Sequence, residues 1–435
     1  MARTPVDPRR NLWPLVGGQS ISLFGDYLAF WLVLPVFVRD ATGSATQLGL
    51  LGAIETVAIL GFGFVAGVLL DRVRVRRALV LADLARMVAF ILIAIAAAAD
   101  AGEVWMAFGV AFVVGSMSTI FDSGLESYMP TVLPDDMLVR ANTAIWISRN
   151  LAQTAGFVVA GFVLTTSSGF ALAFGLDAVT YAVSIVGLML LREVRPREVV
   201  SVEPMFPAIR SGLRALWASP PLRWATGAAA LTNMAFAPLA AVMTLYAQVE
   251  LGIDSDQALG VFFAGFSAIG AGGVMLAPRI VRRVGLGRSV IAGGFVFGAG
   301  AMSAGLVSGP WAVIPFGLAM TGVSLVQVAF VTLRQRLTSA EVRGRVIAAS
   351  RTIAYAGLPV GTILGGWIGD DIGLRPLFVG SGILIGLIAA VLILGPLWRE
   401  RGAEEEPPPE APSESGPSGG HGPIGADPWL PIDGP

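Results

Sequence analysis

The amino-acid sequence predicts an all-α polytopic membrane protein with twelve transmembrane helices in two pseudo-symmetric six-helix halves. Three observations predict this fold class: an apolar composition, apolar runs long enough to cross a bilayer, and a charged pattern that recurs in the second half. Hydrophobic residues make up 55% of the 435 residues, charged residues only 14%, and the mean hydropathy is +0.74. Soluble domains carry about 25% charged residues, so this composition indicates a chain surrounded by lipid.

Apolar runs of membrane length occupy most of the chain. About 20 helical residues cross a hydrocarbon core of about 30 Å. Six such runs lie in the first half, at residues 12–38, 47–70, 78–99, 104–122, 141–166 and 169–191, and six in the second, at 223–247, 257–279, 289–308, 311–333, 346–368 and 374–396. The first run is too long for the apolar core of a signal peptide, so we expect no cleaved leader.

The basic residues indicate how these helices are oriented. All 29 are arginine, and all but Arg39 and Arg375 fall on one side of the predicted membrane, a split of 27 to 2. By the positive-inside rule that side is cytoplasmic. We therefore expect a multi-pass protein of the plasma or inner membrane with both termini inside.

This orientation divides the chain into five predicted parts. They are a cytoplasmic N-terminus (1–11), a first six-helix half (12–191), a cytoplasmic linker (192–222), a second half (223–396) and a tail rich in Pro, Gly, Ser and acidic residues (397–435). The composition of the tail predicts disorder. The linker segment "PAIRSGLRALWA" fits either an amphipathic surface helix or a plain tether.

A charged pattern recurs between the two halves. The segment "GVLLDRVRVRR" at 67 aligns with "GVMLAPRIVRR" at 273, a shift of 206 residues. A shift of 205 aligns Arg140 with Arg345, Gly156 with Gly361 and Gly161 with Gly366. Two six-helix units inserted in the same orientation form parallel repeats, and many secondary transporters enclose a midplane cavity between such repeats.

The connection between the second and third helices resembles the loop signature of the major facilitator superfamily. The matching residues are Gly67, Leu69, Asp71, Arg72, Arg76 and Leu79. Segments such as "RANTAIWISRNLAQTAGFVVAG", "LDAVTYAVS" and "VRGRVIAASRTIAYAGLPVGTILGGWIG" most resemble the branch of macrolide-efflux and enterobactin-exporter proteins. The signature's usual glycine and first basic residue are replaced by Arg74 and Val75. The resemblance implies the major facilitator fold, alternating access by rocking halves, and a loop that acts as a conformational latch.

The latch also has a physical rationale. Asp71 at a helix end can meet the positive N-terminus of another helix or an arginine when the cytoplasmic side closes. Such a contact would bias the two states by about 1–3 kcal/mol. The alternative is that the loop arginines are topology signals at the lipid headgroups, which we favour for Arg74, Arg76 and Arg77 singly. The predicted latch residues are Gly67, Asp71, Arg72 and Arg76, with Asp83 and Arg86 as an i,i+3 ion pair beside them.

Charges inside the predicted spans mark candidate sites of proton coupling and substrate binding, because membrane burial of charge is costly. The acidic candidates are Asp26, Glu55, Asp122 and Asp177, and Arg149 is the predicted counter-charge. Burial away from water favours the protonated form of a carboxyl group, which suits reversible proton binding. Structural ion pairing is the alternative. In the second half we expect the cavity to be lined by Asn233, Gln327, Arg351, Trp311 and Phe and Met side chains, which suits a bulky, largely apolar solute.

Several functions lack the residues that they need. Cysteine is absent, His421 in the predicted tail is the one histidine, and no phosphate-binding G-x-x-x-x-G-K-[ST] motif occurs. We therefore expect no cofactor, no metal site, no ATP-driven step and no nucleic-acid partner. An intramembrane enzyme would need a nucleophile or acid pair, and a sensor would add a signalling domain; neither is evident.

The leading hypothesis is a monomeric, proton-coupled exporter of amphipathic small molecules in the lipid bilayer. Its partners are the solute and protons. Uptake of a small solute by the same fold is the alternative, and a non-transporting sensor is a third possibility.

Overall fold

The structure, a computed structural model, describes residues 9–193, 205–338 and 343–400, and the secondary structure of these ranges is helical. The first half comprises α1 (Arg9–Gly25), a π-helical segment (Asp26–Val33), α2 (Leu34–Thr42), α3 (Ala45–Arg72), α4 (Val75–Ala98), α5 (Val104–Val132), α6 (Asp135–Leu164) and α7 (Gly169–Leu190). The linker contains α8 (Met205–Ala218). The second half comprises α9 (Pro220–Ala241), α10 (Met243–Val249), α11 (Asp256–Val284), α12 (Leu286–Leu306), α13 (Val313–Arg336), α14 (Arg343–Ala356), α15 (Leu358–Asp371) and α16 (Leu374–Ile393).

The number of membrane spans agrees with the prediction. In the described residues, 11 helices are long and apolar enough to cross a bilayer, or 12 when the bent pair α9 and α10 is taken as one span. The first span runs through α1, the π-helical segment and α2, from Arg10 to Thr42. The all-α, twelve-span prediction is therefore confirmed.

Two spans that the sequence predicted as continuous are interrupted. The seventh span bends by 52° at the junction of α9 and α10, four residues after Pro238. The eleventh is divided at Gly357 between α14 and α15, where Pro359 occupies the first turn of α15. Proline lacks a backbone N–H and clashes with the preceding turn, which explains why both interruptions lie beside one.

The described part of the linker is helical, and residues 397–400 are part of the second half. Helix α8 packs on α14, where Arg345 Nη1 donates to Ser211 Oγ at 3.2 Å, so the linker forms a docked helix. Leu397 is fully buried in a 3₁₀ turn (Pro396–Arg399), and the Gly287 N–H donates to the Glu400 carbonyl at 2.9 Å. The start of the predicted tail at 397 is therefore wrong, because residues 397–400 complete the second-half core. The rest of the predicted tail, with His421, lies outside the described residues.

The two halves meet along two equivalent seams, α3 against α15 and α6 against α11. Glycines permit the close approach of the backbones. A Cβ atom at Gly161 would lie 2.6 Å from the Asp256 carbonyl oxygen, and one at Gly366 would lie 2.7 Å from that of Ala45. Gly161 and Gly366 are the pair related by the 205-residue shift, so the repeat in the sequence corresponds to a repeat in the packing.

The seams are closed at the end of the bundle that is poor in arginine. There Asp370 accepts hydrogen bonds from the backbone N–H groups of Ala45 at 2.7 Å and Thr46 at 2.8 Å, and from the Ser44 hydroxyl at 2.8 Å. At the second seam, Arg39 Nη2 lies 3.4 Å from Asp256 Oδ1. These hydrogen bonds and this ion pair join the halves at the arginine-poor end.

Helix α6 is more exposed toward the arginine-rich end. Trp146 precedes Phe157 by eleven residues and Gly161 by fifteen, so it lies on the same face of α6 as both. Phe157 packs against Phe263 of the second half at 5.4 Å between ring centroids, yet Trp146 is 61% exposed. The Trp146 end of this helix face is therefore not covered by the second half.

Candidate functional site

A buried ion pair lies inside the first half. Arg86 Nη2 pairs with Asp83 Oδ1 within α4, and the side chains are 4% and 0% exposed. Ser184 of α7 donates to Asp83 Oδ2 at 2.7 Å, and Arg86 Nη1 donates to Ser118 Oγ of α5 at 3.3 Å. The predicted i,i+3 pair is confirmed, but it lies between three helices and not at the surface of the loop.

Two further carboxylates lie next to this pair. The Tyr181 hydroxyl donates to Asp26 Oδ1, and the guanidinium of Arg86 stands 4.7 Å from the centroid of the Tyr181 ring. Asp177 is fully buried; its Oδ1 accepts from the Thr180 hydroxyl at 2.9 Å, whereas its Oδ2 has no hydrogen-bond partner among the described residues. Asp26, Asp83, Arg86, Asp177 and Tyr181 are hereafter the charge cluster.

The backbone helps to bring the cluster together. Gly25 precedes Asp26, and a Cβ atom at Gly25 would collide with the side chains of Asp177 and Thr180. The π-helical segment begins at Asp26, and such segments are frequent at functional sites because they widen a helical turn. Sequence periodicity carries no signal for this segment, so the prediction missed it.

Arg86, not Arg149, is the buried cation that acts electrostatically on Asp26. Arg149 is exposed on α6, and its interaction partner is Tyr27, the residue after Asp26. The sequence predicts Arg86 only as part of a local helix pair, because a spacing of three residues cannot show what packs on the other side of the helix. A role of Arg149 in transport stays a prediction.

Within the described residues, no hydrogen bond joins the other two acidic candidates to the charge cluster. Glu55 is half-buried in α3 and forms no hydrogen bond or ion pair within the described residues. Asp122 is exposed on α5, and its charge interacts electrostatically with Asp26 and with Arg86. Their proposed roles in proton or substrate binding are untested by this geometry.

The second-half candidates are in different settings. Asn233 Nδ2 donates to the Ala354 carbonyl at 2.9 Å, so this amide holds α9 against α14. Gln327 and Arg351 are exposed. Trp311 is 72% exposed in the turn that begins the tenth span at the arginine-poor end. This position suits an aromatic side chain at the membrane interface, and a place in the cavity lining stays a prediction.

The predicted latch is described only in part. Gly67, Asp71 and Arg72 belong to α3 by their backbone, but their side chains lie outside the described residues. Arg76 Nη2 donates to the Met189 carbonyl near the end of α7. The function of the latch stays a prediction.

Comparison with known proteins agrees with this architecture. The family described as the Major Facilitator Superfamily matches residues 15–360. The multidrug efflux pump Tap of Mycobacterium tuberculosis is 27% identical over 396 residues, which cover 85% of this chain and 90% of that protein. Among solved structures, a point mutant of the nucleoside transporter NupG matches with a TM-score of 0.74 at 11% identity, covering 89% of this chain and 99% of that one.

A second solved structure shares the fold. The bacterial homologue of the iron transporter ferroportin, solved in an inward-facing state, has a TM-score of 0.70 at 17% identity and covers 90% of this chain and 99% of its own. These structures support the fold, and the family match extends over most of the chain. The protein is therefore a multi-pass membrane transporter that belongs to the major facilitator superfamily.

Proposed function

We propose that this transporter exports amphipathic small molecules across the cell membrane in exchange for protons. The observation that carries the proposal is the composition of the charge cluster, in which three carboxyl groups share one guanidinium. If all three were ionised, two negative charges would be uncompensated in a buried site. Uncompensated buried charge is strongly unfavourable, so the cluster is most stable when it also binds protons.

Asp26 is the member of the cluster best suited to exchange its proton. Its side chain is only half-buried, whereas those of Asp83 and Asp177 are fully buried. Tyr181 donates its hydroxyl to Asp26, and its ring lies against the Arg86 guanidinium, so protonation of Asp26 would affect the ion pair through Tyr181. A proton and a solute that both affect Asp26 can compete, and such competition is the basis of antiport.

We infer that the solute passes through a cavity between the halves at the arginine-rich end, where Trp146 is exposed. Glu55, Asp122, Arg149 and Gln327 are its proposed polar lining residues, and the apolar side chains around them suit an amphipathic solute. The positive-inside rule supports a cytoplasmic location of the arginine-rich end, so the structure would correspond to an inward-facing state of a monomer in the cell membrane. Export, as opposed to uptake, is supported by the multidrug efflux pump among its relatives.

Transport into proteoliposomes of known orientation tests the proposal. The probes are the cationic dye ethidium and the anionic dye 1-anilinonaphthalene-8-sulfonate, with an imposed pH gradient or none. The proposal predicts accumulation of at least one dye against its own gradient, driven by proton flow in the opposite direction. Accumulation that requires proton flow in the same direction would indicate uptake, and accumulation independent of the pH gradient would reject proton coupling.

A further inference from the structure

Two arginines of the second half lie close together without a carboxylate. Arg334 is near the end of α13, and Arg351 is in α14. Within the described residues, neither forms an ion pair with Asp or Glu, and Arg351 is an electrostatic neighbour of Arg334. Two adjacent like charges are unfavourable in a protein unless something of opposite charge joins them.

The Arg334 guanidinium is held by a hydrogen bond and a ring contact, and an aromatic ring also lies near the Arg351 guanidinium. Arg334 Nη1 donates to Ser350 Oγ at 2.9 Å, and its guanidinium lies 5.3 Å from the centroid of the Phe330 ring. The guanidinium of Arg351 lies 5.7 Å from the Tyr355 ring. Nε of Arg334 is buried and has no hydrogen-bond partner among the described residues. The two arginines therefore retain guanidinium N–H groups that make no hydrogen bond within the described residues.

The repeat places Arg351 on the cavity side of its helix. Arg351 follows Trp146 by 205 residues, and Trp146 lies on the face of α6 that turns toward the other half. The side chain of Arg351 is exposed. Exposure of a guanidinium to lipid tails is costly, so this exposure is consistent with a water-filled cavity or its mouth.

We propose that Arg334 and Arg351 bind the anionic group, a carboxylate or a phosphate, of an amphiphile at the arginine-rich mouth of the cavity. Guanidinium groups suit both anions because their planar donors match the oxygen geometry. Tyr355, which is half-buried beside the Arg351 guanidinium, offers an apolar ring to the rest of the amphiphile, and Phe330 is part of the core behind Arg334. The inference narrows the class of transported solute to anionic amphiphiles, and in that respect it rests on the proposed function. A lipid headgroup carries the same chemistry.

Binding is tested by isothermal titration on the full-length protein in phosphatidylcholine nanodiscs, with empty nanodiscs subtracted. The probe is octyl phosphate, and 1-octanol is its neutral match. We expect the protein to bind octyl phosphate more tightly than 1-octanol. The double variant Arg334→Gln, Arg351→Gln should weaken octyl phosphate binding by about tenfold to hundredfold, the range for lost hydrogen bonds to a charged group.

Two single variants distinguish loss of the binding site from loss of folding. Arg351→Gln changes an exposed side chain and should weaken binding by itself, whereas Arg334→Lys keeps the charge and should retain most of the affinity. Arg77→Gln, at an exposed arginine of the first half, is the matched control and should bind as the wild type does. Equal octyl phosphate affinity in the wild type and the double variant would overturn the proposal.

A second titration in nanodiscs that contain phosphatidylglycerol identifies the source of the anion. If this lipid weakens octyl phosphate binding in the wild type but not in the double variant, a headgroup occupies the site. If phosphatidylglycerol has no effect on octyl phosphate binding, the site binds free solutes and not lipid headgroups. Because binding is measured without a pH gradient, failure of proton-driven transport would leave this result unaffected, and the reverse also holds.

Discussion

The two halves have the same arrangement of helices but differ in the residues that pack between equivalent helices. The first half packs α4 and α7 around Asp83, Arg86 and Asp177. In the second half, the residues 206 and 205 positions later are Ser289 and Gly382. A Cβ atom at Gly382 would lie 2.7 Å from the Gly298 carbonyl oxygen, so α12 and α16 are in backbone contact where the first half holds charge.

This difference suggests that the two halves of the duplicated fold have different roles in transport. Helices in close backbone contact have little freedom to rearrange, whereas an ion-pair network can respond to the gain or loss of one proton. We infer that proton-linked changes arise in the first half and that the second half acts as the more rigid body, with arginines toward the cavity. The predictions below test this comparison.

The largest effect is expected from Arg86→Ala. Removal of the guanidinium leaves the three carboxyl groups of the charge cluster without a cation, and breaking a buried pair such as Asp83 and Arg86 costs about 3–5 kcal/mol. We expect a marked fall in the thermal unfolding midpoint of the protein in detergent. Arg77→Ala, at an exposed position, is the control and should leave the midpoint unchanged. Equal midpoints for the two variants would show that the cluster does not stabilise the first half.

A smaller loss is expected from Gly382→Ala in the second half. The added Cβ must displace the α12 backbone near Gly298, and overpacking of this kind costs about 1–3 kcal/mol. Gly380→Ala, on the same helix, is the matched control, because no atom lies within 4 Å of a Cβ at that position. If the two alanine variants unfold at the same temperature, the close packing of α12 and α16 is not what holds this half together.

The smallest effect concerns the closed seam that joins the halves. Asp370→Ala removes a carboxylate that caps the N-terminus of α3, and loss of such a cap costs about 1 kcal/mol. We expect the population to shift toward states that are open at the arginine-poor end. Spin labels at positions 103 and 372 would measure the shift, and the absence of cysteine gives a clean background for labelling.

Asp371→Ala is the control for that variant, because the neighbouring carboxylate makes no hydrogen bond across the seam in the described residues. Distance distributions that are identical in wild type, Asp370→Ala and Asp371→Ala would remove the seam role of Asp370.

The sequence predicts much of the fold because the bilayer imposes simple rules. Apolar run length predicts the spans, and the 205-residue shift predicts the related seams at Gly161 and Gly366. The Asp83 and Arg86 pair follows from helical spacing. The contact of Tyr181 with Asp26 does not, because it joins residues 155 positions apart through helix packing. The break at Gly357 and the π-helical segment at Asp26 are local backbone changes that apolar periodicity does not encode.

The central claim is that Asp26 carries the coupled proton in the first half. The most direct measurement compares dye transport by wild type, Asp26→Asn and the exposed-loop control Asp254→Asn in proteoliposomes. Because Asn mimics the protonated carboxyl, Asp26→Asn should lose accumulation driven by the pH gradient but retain downhill exchange, while Asp254→Asn behaves as the wild type. Gradient-driven accumulation at wild-type levels in Asp26→Asn would contradict the claim and make Glu55 the next carboxylate to test.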